Sequence, residues 1–472
     1  VSARVVVIGA GIAGLATAFD LITHDPDLDV LVLEASPSPG GKMRTTPFAG
    51  LRVDEAADAF LARVPWAVNL CEELGLTDEL VSPAEGSAYI WTGGALRRIP
   101  HTNLLGVPLD LDELAASGIV SGQAVAQLAA DLEREHDDVT EALAASRGGD
   151  AAAAHDESIA TMIGRRLGEE IDRKLVDPLI GGIYAGDTRS LSLYATAPQF
   201  AAAAERGPSL VAELRRTRAE AVATARPVFY GHRDGSGRII EALARRLGGR
   251  LRLECSARAI RRIASGYAID TQHGDTFEAD AIVLAAPAFA AAPLLERVSS
   301  DASRACGSID YAGVALAAIA VPKASLSRPL DASGFLVPKT EGRFVTACSW
   351  ASTKWAHLGT TDHAILRVSS GHVGDHRALA MSDDDIVSSM LADLRDMMEL
   401  ACAPAQVRVT RWTDSFPQYR PGHRALVASI AEALRADAPG VLVTGAAYGG
   451  IGIPACIDHA RHAAESVRRH LG

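Results

Sequence analysis

The chain has 472 residues, 48% of them apolar and 22% charged, enough to bury a large core, and at roughly 100–200 residues per domain it divides into two or three domains. A net charge of −12 disfavours nucleic acid, whose binding rests on neutralising phosphates, and gives no general attraction to an anionic membrane surface. The six cysteines (Cys71, Cys255, Cys306, Cys348, Cys402, Cys456) nowhere form a C-x-x-C pair, which excludes the usual zinc and dithiol motifs and leaves buried thiols in a reducing cytosol.

Val5-Val6-Val7-Ile8 is a short apolar run, the pattern of a strand buried on both faces. It follows Arg4 without the basic start and apolar stretch of a signal peptide. No run of about 18 apolar residues predicts a membrane span. The expectation is a cytoplasmic protein with no integral membrane contact and no nucleic-acid partner. Gly9-Ala10-Gly11-Ile12-Ala13-Gly14 comes next, then a helix from Leu15, then the strand Val30-Leu31-Val32-Leu33-Glu34. Together they read as a βαβ unit. From about Leu111 to Leu175 the pattern is helical, broken by 147–154, a mobile surface loop by composition, and resuming at Ser158 as N-cap through Val176. Strands are predicted at Leu251–Glu254, Gly266–Asp270 and Ala281–Ala285. A second sheet is predicted from Val314–Val321, Gly334–Val337 and Ile365–Ser369. A helix follows over Asp383–Leu400, then a strand at Gly440–Gly445 and a last helix over about Ile457–Leu471.

The G-x-G-x-x-G run gains weight from its setting, between a buried strand and a helix. Gly9 permits the tight turn, Gly11 lets backbone approach a pyrophosphate, and Gly14 lets helix and strand pack closely. The helix N-terminus offers N–H groups to phosphate. Glu34, about 20 residues on, is placed to accept both ribose hydroxyls, and its charge repels a 2′-phosphate. Ala35 follows it. Gly40-Gly41-Lys42-Met43-Arg44 then supplies a second glycine pair with basic residues, which resembles the GG motif of FAD-containing oxidases. FAD is therefore the expected cofactor. The candidate cofactor-binding residues here are Gly9, Ala10, Gly11, Ile12, Ala13, Gly14, Glu34, Ala35, Gly41, Lys42 and Arg44.

Three later segments sharpen the likeness. Leu175–Ser192 (LVDPLIGGIYAGDTRSLS) is similar to the "PL..GIYAGD...LS" signature of the protoporphyrinogen oxidase family. Trp412 with Phe416–His423 (FPQYRPGH) resembles its "W…PQY..GH" segment, and Val443–Ile457 (VTGAAYGGIGIPACI) its C-terminal "G.AY.G.GIP.CI" segment. The likeness runs end to end and is poorest between about Leu111 and Glu157. The segment Val53–Arg63 departs from the family's "GPDSF" form, so contacts at Ala57, Asp58 and Ala59 fall to backbone. An Ala- and Arg-rich composition fits a GC-rich, actinobacterium-like genome, and the soluble Gram-positive branch is the nearest match.

The resemblance implies an α/β plus α+β architecture of the amine oxidase and glucose-methanol-choline type. Its Rossmann-type FAD-binding domain is assembled from discontinuous segments (1–84, 230–290, 410–472), beside a mixed-sheet substrate domain (85–110, 291–409) and a mainly helical domain (111–229). It places Ile260 at the adenine and Trp412 beside the flavin. Gly452, Ile453 and Pro454 fall next to the isoalloxazine, and Gly445 and Ile451 are further cofactor-binding candidates. The implied reaction is FAD-dependent six-electron oxidation of coproporphyrinogen III to coproporphyrin III, with O2 as acceptor and H2O2 as product. Protoporphyrinogen IX is the alternative substrate. Because the cofactor carries the chemistry, no metal and no catalytic triad are expected. The Gly182 carbonyl is the candidate proton acceptor, with Ile183 and Tyr184 as apolar wall. Arg63 is the candidate anchor for a substrate propionate. Arg97, Arg98, Lys354 and Arg44 are weaker candidates for the same task. His459 and His462 are read as solvated helix residues. A transient contact with ferrochelatase is a further expectation. Two other readings compete: a flavin amine or amino-acid oxidase, and a non-catalytic escort protein of the same fold.

Overall fold

The computed structural model describes residues 2–134, 156–222, 227–400 and 402–472; the 147–154 stretch lies outside them. The chain forms two compact units, one of Val1–Ser82, Pro227–Asp310 and Ala425–Gly472, the other of Pro83–Arg226 and Tyr311–Arg424.

The first unit is built on a five-stranded parallel sheet. Its order is Leu251–Arg252, Asp29–Leu33, Arg4–Ile8, Ala281–Leu284, Val441–Val443. Val5 pairs with Val30 on one side and Ala281 on the other. The unbroken Val5–Val7 run is fully buried, as expected of a strand covered on both faces. Helices Ile12–His24, Gly237–Leu247 and Ile453–Leu471 contribute the apolar faces that join the sheet in one core with Leu15, Leu243 and Ile457. A three-stranded antiparallel sheet (Ala257–Ile263, Gly266–Thr271, Thr276–Ala279) carries Ile260 on an edge strand. The last helix starts at Ile453, four residues earlier than predicted from Ile457. Gly452 is its N-cap and Pro454 sits in its first turn, where the missing N–H costs nothing.

The second unit holds a seven-stranded mixed sheet, ordered Gln406–Pro417, Tyr311–Pro322, His363–Ser370, Ala347–Trp350, Gly334–Leu336, Tyr89–Thr92, Ala95–Arg98. Three of these strands were predicted, each within a few residues of its observed ends. The pair between Gly334–Leu336 and Tyr89–Thr92 is parallel, and the rest are antiparallel. The register of the two longest strands shifts at Gly313, between Ala312 and Val314. A Cβ there would meet the Trp412 carbonyl oxygen at 2.9 Å, so the bulge needs glycine.

Ser158 caps Ile159–Leu167 as predicted, its hydroxyl accepting the Thr161 N–H at 3.2 Å. The predicted helical stretch to Val176 is divided at Gly168, whose φ of +92° is left-handed. The chain restarts at Glu169 and runs through a π-helix, Asp172–Gly181, with Pro178 inside. Proline removes an N–H that a regular helix would use, and wider winding accommodates the loss. The six cysteines are all free, with Cys71, Cys306, Cys348 and Cys456 buried.

Candidate active site

The first strand delivers Gly9 to the sheet edge with φ of +107°, and its N–H donates to the Leu33 carbonyl at 2.8 Å. The three motif glycines meet different surroundings. A Cβ on Gly9 would lie 3.0 Å from the Ala285 carbonyl, and one on Gly14 only 1.9 Å from the Gly9 oxygen. A Cβ on Gly11 would meet nothing within 4 Å. Gly9 and Gly14 are thus glycine because the backbone packs against them, and Gly11 because its open side is kept clear. Gly11 is also the N-cap of Ile12–His24, and no side chain caps that end or places an acid in its first turn. Ala10, Ile12 and Ala13 complete this turn. The end therefore keeps its positive field for an anion.

Gly40 and Gly41 come to the same place. Gly40 donates its N–H to the Ala10 carbonyl at 2.8 Å and bridges to Gly11, while the Cα of Gly11 lies 3.7 Å from a Cβ built on Gly41. Glu34 presents its carboxylate beside them. One oxygen accepts the Ala10 N–H at 2.6 Å, the other the Ser36 N–H at 2.9 Å. The Ser36 hydroxyl donates to that second oxygen as well, so of the about four hydrogen bonds a carboxylate accepts, capacity remains for one ribose hydroxyl. Ala35, next along, is exposed. Lys42 is half-buried, and desolvation lowers its pKa against the opposing pull of the nearby Cys456 thiol. Arg44 donates to buried Glu55 at 2.6 Å, so its charge is already compensated within the unit.

Asp58, Ala59 and Ile453 line one small cavity, whereas Ala57 is exposed. Phe60 follows, paired with Tyr230. The same cavity is lined by His232, which sequence reading passed over. Its imidazole is buried. Nδ1 accepts the Asp234 N–H at 3.1 Å, and Nε2 lies 2.9 Å from Glu79. Burial holds His232 below its ordinary range. A lone histidine in a strand carries no local signal of such a place. Glu79, His232 and Asp234 could offer ligand atoms within 4.8 Å of one another, but Arg238 stands 3.3 Å from the same Glu79 oxygen and supplies the positive charge. Gly445 closes the strand Val441–Val443 with φ of +109°. Ile451 is half-buried and Gly452 exposed, leading to a second long helix whose N-terminus has neither side-chain cap nor first-turn acid.

His459 was expected to be solvated on that helix. It is instead packed inward: its Cβ stands 2.5 Å from where a Gly449 Cβ would be, and Nδ1 lies 3.1 Å from Thr444 Oγ1. Helical spacing brings it under the 444–450 turn, and desolvation lowers its pKa. His462, one turn on, is exposed as expected.

In the second unit the π-helix ends on Gly182-Ile183-Tyr184. Gly182 is exposed and Ile183 is 49% exposed, an unusual position for a large apolar side chain. The Tyr184 carbonyl accepts Gln418 Nε2 at 2.9 Å, and its ring meets Tyr419 edge-on at 5.5 Å. Burial pushes the Tyr184 phenol up to about 12. Ala185 takes the left-handed φ of +46°, donates nothing from its side chain, and packs with Ala312, Val314 and Trp412 in one apolar cluster. The structure thus brings the "GIYAGD" and "W…PQY" segments together.

Of the candidate anchors, Arg63 is exposed, at the end of the short strand Phe60–Leu61 and two residues before helix Pro65–Glu73. It makes no ion pair among the described residues. Arg98 is held by Asp331, Ser87 and Tyr89, at 2.8, 2.7 and 2.8 Å. Arg97 lies against Gly118, and Lys354 stands over the Trp355 ring at 5.1 Å. Among the described residues no helix is long and apolar enough to cross a membrane.

The chain is similar over nearly its whole length to known proteins. Residues 12–468 match the family described as flavin containing amine oxidoreductase. The chain is 31% identical to the coproporphyrinogen III oxidase of Bacillus subtilis, over 99% of this chain and 98% of that one. It is 31% identical to the coproporphyrinogen III oxidase of Mycobacterium tuberculosis, over 98% of this chain and 96% of that one. The crystal structure of a candidate protoporphyrinogen oxidase from Exiguobacterium superposes with a TM-score of 0.87 at 29% identity, covering 99% of both chains.

Proposed function

The chain belongs to the flavin-containing amine oxidoreductase family, in its coproporphyrinogen III oxidase branch, and from that premise we propose that it oxidises coproporphyrinogen III to coproporphyrin III with FAD and O2, releasing H2O2. The observation that carries the cofactor is the cradle at Gly11, where no protein atom lies within 4 Å of an added Cβ and a helix N-terminus stands uncapped. The chemistry FAD supplies when bound is two-electron acceptance, with O2 as the final oxidant, so that three turnovers account for six electrons.

The chain's own residues bind and orient. The uncapped helix start from Gly11 to Gly14 would offer its free backbone N–H groups to the pyrophosphate, with Gly9 and Ala10 shaping the turn and Gly41 and Lys42 beside it. Glu34 would take a ribose hydroxyl, with Ala35 beside it. Ile260, on its edge strand, clamps the adenine through backbone. Arg44, tied to Glu55, fixes the Gly41–Lys42 turn rather than meeting the ligand as a free charge. Ala57, Asp58 and Ala59 would contact the flavin through backbone, Gly452 and Ile453 would offer the N-terminus of the last helix to negative charge on the reduced ring, and Gly445 and Ile451 would be further cofactor contacts. By the same resemblance Trp412 would serve the flavin site. Arg63, exposed and free of ion pairs, holds a substrate propionate through a fork of two N–H donors. Gly182, Ile183 and Tyr184 form the apolar wall, and the Gly182 carbonyl accepts a hydrogen bond from a pyrrole N–H whose proton leaves to water. A cytoplasmic place, a tetracarboxylate substrate and delivery of product to ferrochelatase complete the proposal.

The experiment is a parallel fluorescence and peroxide assay with coproporphyrinogen III, protoporphyrinogen IX and simple amines. Turnover of coproporphyrinogen at the highest kcat/KM is expected. Turnover of amines alone would replace this reading with that of an amine oxidase, and a colourless protein with no bound flavin would point to the escort role.

A further inference from the structure

The π-helix Asp172–Gly181 leads directly into the exposed Gly182–Tyr184 turn. Departures from α-winding are rare and gather at functional sites. Beneath the turn lie two carboxylates of that helix, Asp172 and Asp177, only 4% and 7% exposed. Lys339 Nζ stands 2.6 and 2.8 Å from the two Asp177 oxygens and 3.8 Å from Asp187 Oδ2. It therefore braces both ends of the turn. Gly181 is in contact with the brace: a Cβ on it would lie 3.0 Å from Asp177 Oδ1 and 3.3 Å from Lys339 Nζ. The Gly186 N–H closes the turn onto the Gly181 carbonyl at 2.9 Å.

The hydrogen-bond count does not balance with both buried acids ionised. Thr188 gives its N–H to Asp177 at 3.1 Å, and its hydroxyl lies 3.1 Å from Asp172 Oδ2 and 3.3 Å from Asp177 Oδ1. One hydroxyl carries one proton, so it can serve only one of the two. Asp172 Oδ1 has no partner. A proton on Asp172 completes the chain: Asp172 donates to Thr188 Oγ1, and Thr188 Oγ1 donates to Asp177. The remaining Asp172 oxygen is then neutral, and far less costly to leave unpaired than a carboxylate.

We propose that Asp172 holds a proton in the resting protein and is a positioning residue, whose proton, acting through Thr188, Asp177 and Lys339, sets the Gly182–Tyr184 turn. The role in substrate binding rests on the reading of that turn as the macrocycle wall; the coupling of proton to turn does not. Burial first, then the charge of Asp177, moves Asp172 up to about 7, with Asp187 adding to the rise and Thr188 and Lys339 opposing it. The other charged groups on neighbouring segments are engaged elsewhere. Arg189 pairs with Asp187, Arg173 with Glu169, Lys174 with Glu170, Arg165 with Glu157, and Arg166 bonds the Pro208 carbonyl. Loss of the Asp172 proton leaves two buried anions facing one hydroxyl and one ammonium, and the brace under the turn loosens.

The test is amide hydrogen exchange over residues 181–187 of the holoenzyme, corrected for intrinsic rates, beside KM and kcat for coproporphyrinogen III across pH. In the wild type, exchange rises about tenfold between about pH 6 and about pH 8, and KM rises with it while kcat holds. Asp172→Asn keeps a donor toward Thr188 and removes the titration, so both profiles become flat at the low-pH value. Thr188→Val breaks the relay and shows fast exchange throughout, whereas Thr188→Ser restores the wild-type profile. Exchange that depends on Asp172 with a KM that does not supports the proton-set turn and removes it from the substrate wall. Identical exchange profiles in the wild type and Asp172→Asn overturn the proposal.

Discussion

Two glycine-bearing turns, one in each unit, do their work by opposite means. The Gly9–Gly14 turn is shaped by missing side chains. Backbone packs where Gly9 and Gly14 lack a Cβ, space is left at Gly11, and Glu34 accepts the Ala10 N–H of the turn. The Gly182–Gly186 turn is held from beneath by three carboxylates, an ammonium and a hydroxyl. A turn made by steric absence is insensitive to pH and intolerant of added atoms. A turn braced by buried charge tolerates change of size and is sensitive to every change of proton or counter-ion.

The largest expected effect breaks the charged brace. Lys339→Met leaves Asp177 buried without its cation and costs about 3–5 kcal/mol of folding stability. Calorimetry at neutral pH measures it, and a melting temperature unchanged from wild type would show that the brace is not needed. Next, Gly14→Ala drives a Cβ to within 1.9 Å of the Gly9 oxygen. Forced separation of helix and strand costs about 1–3 kcal/mol and lowers FAD affinity at least about tenfold, read by flavin content after gel filtration. Arg63→Ala removes an exposed cation, raising KM for coproporphyrinogen about tenfold while FAD stays bound and the melting temperature holds. Unchanged kinetics would take Arg63 out of the substrate site.

The pH comparison is smaller. Asp172 has a raised pKa, so between 3.8 and about 7 the folded protein keeps a proton that the unfolded chain releases. Its contribution favours folding at the acid end and is lost as pH rises through about 7. The wild type should therefore lose stability relative to Asp172→Asn across that window and run parallel to it above; parallel curves throughout would mean that Asp172 does not titrate there. The smallest effect on folding is that of Gly11→Ala, whose Cβ meets nothing within 4 Å at an ordinary φ of −70°. Stability stays within about 0.5 kcal/mol of wild type, yet FAD binding weakens because the methyl occupies the cleared space. Equal flavin content in the Gly11 and Gly14 variants would erase the distinction between clearance and packing.

Much of the nucleotide half was legible in the chain because its signals are local. A β-branched run, a glycine triplet and a glutamate on the next strand all lie within one βαβ unit, and each residue's role follows from its own backbone. The end of the chain was legible as a motif, and its last helix was placed four residues late: it begins at Ile453, capped by Gly452, because Pro454 fits a first turn that needs no N–H from it. His459 looked solvated because helical spacing alone does not say which neighbour covers a face; the 444–450 turn does. The seven-stranded sheet was seen only in part, since Tyr89–Thr92 and Gln406–Pro417 pair with strands far away in sequence.

Strand type, glycine clearance and cofactor class were written in short-range order, since each is decided by atoms of adjacent residues. The surroundings of Asp172, His232 and His459 were not. Their burial, partners and protonation come from segments tens to hundreds of positions away, and desolvation belongs to the packed interior rather than to any residue alone.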